Sequence, residues 1–251
     1  MSGLLELYKK ELRSIAFFLL VSVLIILGWQ FFLLYKATNW PEGVAFGLSY
    51  IPFAFFPLIM IWQGYQSYRQ EWKNDTIYML LSLPRPGWVI SLSKLLAALT
   101  YYLVTVVLNM VMVYFVSQQH FWSEMLPVVT EKWVLSMAFK TVIAYIVMGI
   151  SIYILSQFSC LVSRFYDRFK GLISIVVFIL SSYIIYRGGA ILAPLFKWLP
   201  DLPVKIMSES LATFEPATIH IGSGPIIASL ILIILLFSLG GKLLEDYLEV
   251  S

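Results

Sequence analysis

Six apolar runs separated by short polar stretches leave this chain few folds to choose from. They cover 15–34, 44–62, 95–116, 133–158, 171–186 and 219–241. All but the fifth fall within or above the roughly 17–25 residues that a helix needs to cross a bilayer core. Backbone crossing lipid has to satisfy its own N–H and C=O groups, so runs of this length predict helices. Charged residues make up 12% of the 251 residues, half the roughly 25% of a soluble domain. The reading is an all-α polytopic membrane protein, with six spans forming a single transmembrane domain over 1–251. The fifth run is short. Sixteen residues rise about 24 Å, less than the ~30 Å core. Lys170 and Arg187 bracket it and can snorkel, and Gly188-Gly189 permits a sharp backbone turn after it.

The basic residues predict an orientation. Lys9, Lys10, Arg13, Arg69, Lys73, Arg85, Lys94, Arg164, Arg168, Lys170 and Lys242 fall on one side. Lys36, Lys132, Arg187, Lys197 and Lys205 fall on the other, with Lys140 inside the fourth span. Eleven against five places both termini in the cytoplasm of a multi-pass protein of the cell membrane. The first apolar run is longer than the apolar core of a signal peptide and no small-x-small pattern follows it, so a retained anchor is expected. Residues 1–14 read as an amphipathic elbow helix, with Leu4, Leu5, Tyr8, Leu12 and Ile15 on one face. Such a helix lies in the interface before the chain turns into the bilayer; the other reading is a solvated tail. Between spans five and six, 187–218 is apolar but broken by Pro194 and Pro200. Short re-entrant helices capping the outer mouth are expected there, a surface-lying loop being the alternative.

The polar insert between spans two and three, 65–88, is patterned. Trp72, Thr76, Met79, Leu80 and Leu83 recur at helical spacing, with Glu71, Lys73 and Asp75 mostly off that face. Pro84, Pro86 and Gly87 stop the helix. Trp88 and Lys94 then suit a membrane interface, Lys94 as an anchor opening the third span. The predicted helix rests on the membrane or on a partner.

The chain carries no visible energy source. A P-loop needs G-x-x-x-x-G-K-[ST]; at Gly241-Lys242 the first glycine is Leu236 and the hydroxyl residue is Leu243. Lys140 is the only charged residue within the six runs, as a snorkelling or a functional group, and no run holds a carboxylate for ion coupling. No H-E-x-x-H or G-x-S-x-G pattern marks an enzyme. His120 and His220 are far apart, and the single cysteine, Cys160, permits neither an intrachain disulfide nor a cysteine-based metal site. A net charge of +3 spread along the membrane boundaries gives no nucleic-acid patch.

Glu71, then Thr76-Ile77-Tyr78-Met79-Leu80-Leu81-Ser82-Leu83-Pro84-Arg85, then Lys94, resembles the coupling-helix region of permease subunits of ABC exporters of the second type. The closing Leu243-Leu244-Glu245-Asp246-Tyr247-Leu248-Glu249-Val250 is similar to tails in that family. The resemblance covers essentially the whole chain, from elbow helix and six spans to the broken outer segment. It implies a transport subunit rather than an enzyme, with no cofactor of its own, ATP and Mg belonging to a separate ATP-binding ABC subunit. A second permease chain, identical or not, and membrane lipids complete the implied partners. Glu71, Trp72, Asp75, Thr76, Met79, Leu80, Leu83 and Arg85 would contact the ATPase. Spans two and five would line the path, through Tyr50, Phe53, Phe56, Ser174, Phe178, Ser181 and Ser182. The same seven residues also read as lipid-facing or packing positions. A path of aromatics and serines suits a hydrophobic or amphipathic cargo: an antimicrobial or cytolytic peptide, a drug or a lipid-like molecule. The alternative is a stand-alone membrane pore or scaffold that uses the insert for other contacts.

Overall fold

The computed structural model describes residues 2–41, 43–77, 86–118, 132–166, 168–207 and 216–249. Helix α1 (Ser2–Ala37) is followed by a short α2 (Val44–Leu48), α3 (Ile51–Lys73), α4 (Gly87–Ser117), α5 (Lys132–Ser163) and α6 (Lys170–Leu192). A 3-10 turn (Ala193–Phe196), strands β1 (Leu202–Met207) and β2 (Pro216–Ile221), and helix α7 (Ser223–Glu249) complete the chain. Six of these helical stretches are long and apolar enough to cross a membrane. The chain is thus a polytopic membrane protein, as its apolar runs predict.

Helix α4 is the hub. Half of its most apolar window is buried, against 17–28% in the other five. It packs on α1 along one side and on α7 and α3 along others, while α3 pairs with α5, and α5 and α7 flank α6. Outward positions of the ring are large and apolar, such as Phe17, Leu24, Ile179 and Leu180. In a bilayer that surface faces acyl chains.

Two residues show how a membrane helix tolerates a break. Pro57 inside α3 has no N–H to give the Phe53 carbonyl. Tyr145 on α5 supplies the missing donor, its hydroxyl 2.6 Å from the Phe53 oxygen. Tyr145→Phe is expected to lower stability by about 1 kcal/mol, read as a drop in melting temperature in a fixed detergent. An unchanged melting temperature would mean that the freed carbonyl has another donor.

Several expectations require correction. The elbow is not a separate element: α1 is continuous for 36 residues, about 54 Å. Its first turns dock on the start of α4, with Leu7 buried and Tyr8 Oη 2.8 Å from Thr100 Oγ1. The fifth span is not short, because the helix continues through Gly188 and Gly189 to Leu192. The two glycines serve packing rather than a turn. A Cβ on Gly188 would stand 2.8 Å from Leu232 Cδ1, and one on Gly189 would collide with Ser229 Oγ. Their absence lets α6 and α7 approach closely. The outer segment does not form re-entrant helices in its described part. After the 3-10 turn it forms an antiparallel pair, Leu202 opposite Ile221 through Met207 opposite Pro216. Lys140, the one charge inside the predicted runs, donates to the Pro203 carbonyl at 3.1 Å and ties α5 to this pair.

The predicted coupling helix is also broken. Helix α3 runs on past Trp62 to Lys73, then Asn74 and Asp75 turn the chain, with Asp75 at φ +54°. Aspartate is among the few non-glycine residues that enter this left-handed region readily. Trp72 and Thr76 therefore do not share one uninterrupted helical face. Met79, Leu80, Leu83 and Arg85 lie outside the described residues.

Candidate functional site: a buried ion network at the N-terminal side

Helices α1, α3 and α4 each bring a charged residue to one point. Lys94 sits two turns inside α4 and is only 2% exposed. Its ammonium lies 2.9 Å from Glu11 Oε1 on α1 and 3.0 Å from Glu71 Oε1 on α3. Lys10, half exposed, closes the group at 3.2 Å from Glu71 Oε1. The Tyr68 ring stands 5.6 Å from the Lys94 ammonium. Removing these charges from water costs several kcal/mol each, and only close, mutual hydrogen bonding offsets it. Lys94, expected as an anchor opening the third span, is instead paired inside the protein, because α4 begins at Gly87 rather than at 95 and turns the lysine toward α1 and α3.

The network also holds the end of α3 and the residues after it. Thr76 donates its hydroxyl to Glu71 Oε2, with the Glu71 carbonyl 3.3 Å away. Ile77 follows, 1% exposed, in a cluster with Leu7, Tyr68, Val89, Ile90, Cys160, Leu161 and Leu244. Where the chain is described again, the Gly87 N–H donates to Glu245 Oε1 on α7 at 2.6 Å. A side chain on Gly87 would collide with the Gly241 carbonyl. The described residues on either side of 78–85 are thus both held by the bundle, Thr76 and Ile77 by Glu71 and the buried cluster, Gly87 by Glu245 of α7.

The predicted coupling residues divide accordingly. Glu71 is buried inside the protein, and Trp72 packs on Tyr68 with the Arg164 guanidinium 4.8 Å from its ring centre. Thr76 turns back to Glu71, while Lys73, Asn74 and Asp75 are exposed. Of the predicted path residues, Phe53 and Phe56 join Tyr102 and Tyr145 in an aromatic cluster between α3, α4 and α5. Tyr50 stands half exposed at its edge, its ring 6.0 Å from Phe53. Ser174 and Phe178 do line a cavity, of about 400 Å³, with Trp62 and Tyr65 of α3 and Ser156 and Ser159 of α5. Ser181 is buried beyond it, and Ser182 donates its hydroxyl to the Phe178 carbonyl.

Glu11, Lys10 and Glu245 were not singled out by the sequence reading. One signal for Glu11 was available: a third span starting at Gly87 puts Lys94 two turns inside, where it needs a carboxylate. No group of three or more metal-ligating side chains occurs among the described residues. The sequence matches no protein-family model, and comparisons with curated proteins and with solved structures give no match.

Proposed function

We propose that this chain is the membrane-spanning permease subunit of an ATP-driven ABC exporter of the second type. It acts with a second permease chain and with separate ATP-binding subunits that bring ATP and Mg. The observation that carries the reading is that the described residues flanking 78–85 are held on both sides, Thr76 and Ile77 on one and Gly87 on the other. A motor pressing on that stretch from the cytoplasm displaces α3 through Glu71 and Thr76, α1 through Glu11, and α4 and α7 through Lys94 and Gly87. A stretch held only by loose polar contacts would absorb the push. Glu71 in this reading transmits force from inside. Lys73, Asn74 and Asp75 give the partner its exposed polar contacts, and Met79, Leu80, Leu83 and Arg85 belong to the docked stretch.

The cavity between α3, α5 and α6 is the proposed cargo path. Its aromatic and serine lining suits a hydrophobic or amphipathic molecule: a peptide, a drug or a lipid-like compound moved outward. Export rests on the family resemblance, which is analogy.

Purification from native membranes in mild detergent tests the proposal. A P-loop subunit is expected to accompany the chain. Changing the exposed charges, Lys73→Glu with Asp75→Asn, which keeps a residue that tolerates the left-handed turn, is expected to lower its recovery about tenfold without moving the melting temperature. Absence of any nucleotide-hydrolysing companion favours the stand-alone pore or scaffold. Recovery unaffected by disruption of 71–83 removes the coupling role.

A further inference from the structure

A second cavity system lies away from the proposed cargo path. Between α1 and α3 runs an apolar groove of about 710 Å³, bounded by Phe18 and Trp62 at one end and by Trp29 and Ile51 at the other. Eleven residues separate each helix's two markers, so the groove is about 16 Å long. That is close to half the ~30 Å hydrocarbon core, the depth of one leaflet. Phe18 and Trp62 also border a smaller polar cavity of about 160 Å³ on the N-terminal side. Gln63, Gln66, Gln70, Ser14 and Ser67 line it beside the ion network. It has room for about five water-sized groups.

Gln63 makes this cavity more than a gap. It is 9% exposed, and neither its amide nitrogen nor its amide oxygen has a partner among the described residues. A buried amide left so costs free energy unless something enters to bond with it. A donor and an acceptor on one side chain complement a hydroxyl. The charges beside it already balance, Glu11 and Glu71 against Lys94 and Lys10, so no surplus cation waits for a phosphate.

We propose that the α1–α3 groove holds one acyl chain of an uncharged, hydroxyl-headed amphiphile, a monoglyceride or a small glycolipid, with its head in the Gln63 cavity. The groove supplies apolar burial along one leaflet, and Gln63 with its polar neighbours selects the head. Bound there, the molecule wedges α1 against α3 directly beneath the Glu11–Lys94–Glu71 group. Occupancy does not depend on the transport reading, since it requires neither an ATPase nor a second chain.

Photolabelling of the full chain tests this. The protein is reconstituted in phosphatidylcholine vesicles containing a trace of monoacylglycerol with a photoreactive group at mid-chain, and adducts are mapped by mass spectrometry. Matched vesicles carry the same photoreactive chain on lysophosphatidylcholine or on lysophosphatidic acid. Glyceride adducts on Ile25, Phe55 and Ile59 are expected to exceed those on the outward Ile179 and Leu180 of α6 about fivefold, the selectivity of roughly one added hydrogen bond. Gln63→Leu is expected to abolish the excess while the melting temperature holds or rises, because the Gln63 amide has no hydrogen-bond partner among the described residues. Ile59→Trp, which fills the groove, is expected to remove groove adducts. Equal labelling of both faces means ordinary surrounding lipid and overturns the proposal. An excess with the phosphate-headed probe overturns the headgroup assignment. Ile25→Cys forming disulfide dimers while lipid labelling is absent gives the groove to a second copy, and also overturns it.

Discussion

Lys94→Met is expected to destabilise the protein by about 3–5 kcal/mol, read as a large fall in melting temperature in detergent or in nanodiscs. Among the described residues the ammonium is the only cation that reaches both Glu11 and Glu71, and its side chain is 1% exposed. Removing it leaves two carboxylates facing each other, with the half-exposed Lys10 left, among the described residues, to answer Glu71. Thr76 loses its fixed acceptor as well. A companion variant separates the buried charge from simple loss of packing. Adding Glu11→Gln and Glu71→Gln to Lys94→Met removes the uncompensated charge, and most of the lost stability should return. Buried ion triads replaced as a unit are often neutral or better. If Lys94→Met melts like the parent, the network is open to water and its proposed mechanical role fails.

The second large effect is expected from Gly64→Val. Gly64 sits where α3 crosses α5, and a Cβ there would stand 2.7 Å from the Tyr153 carbonyl oxygen and 2.8 Å from Ser156 Cβ. Both neighbours are on the α5 backbone or one bond from it, so neither can swing aside. The crossing is also hydrogen-bonded, Ser156 Oγ donating to the Ile61 carbonyl at 2.6 Å. Overpacking of this kind costs about 1–3 kcal/mol and more where backbone has to move. The expected result is a loss of at least about 3 kcal/mol, with cross-linking between α3 and α5 lost. Gly28→Ala is the control. Nothing lies within 4 Å of a Cβ on Gly28, so that change should be neutral or gain up to about 1 kcal/mol in helix propensity. Equal effects from the two substitutions would show that the close crossing is absent.

These two sites show what could be read in advance. The spans were legible because lipid makes a single demand: a long apolar run has to hydrogen-bond to itself. Their ends were less legible. Gly87–Ser93 is largely apolar but is cut from the third run by Lys94, yet it forms the first turns of α4, with Gly87 against α7 and Ser91 bonded to the Tyr68 hydroxyl. Missing those turns placed Lys94 at a boundary and left Glu11 and Glu71 without a reason to meet. The stripe from Trp72 to Leu83 was a genuine periodicity, but period alone cannot reveal a left-handed aspartate that breaks it. For the path residues, aromatic and serine content could not separate Ser174 and Phe178, which line a cavity, from Phe53 and Phe56, which fill a core. Span content is the same in both cases; only the neighbour differs.

The sequence by itself determined a bundle of six membrane-length helices, because no other backbone arrangement of those runs satisfies its polar groups in lipid. Tertiary structure decided where the charges go, which glycines are contact points, and that the outer segment pairs as two strands. Those outcomes depend on groups far apart in the chain: Glu11 and Lys94 are brought within 2.9 Å across 83 positions. A local pattern carries no record of such a partner, whereas hydrophobicity needs none.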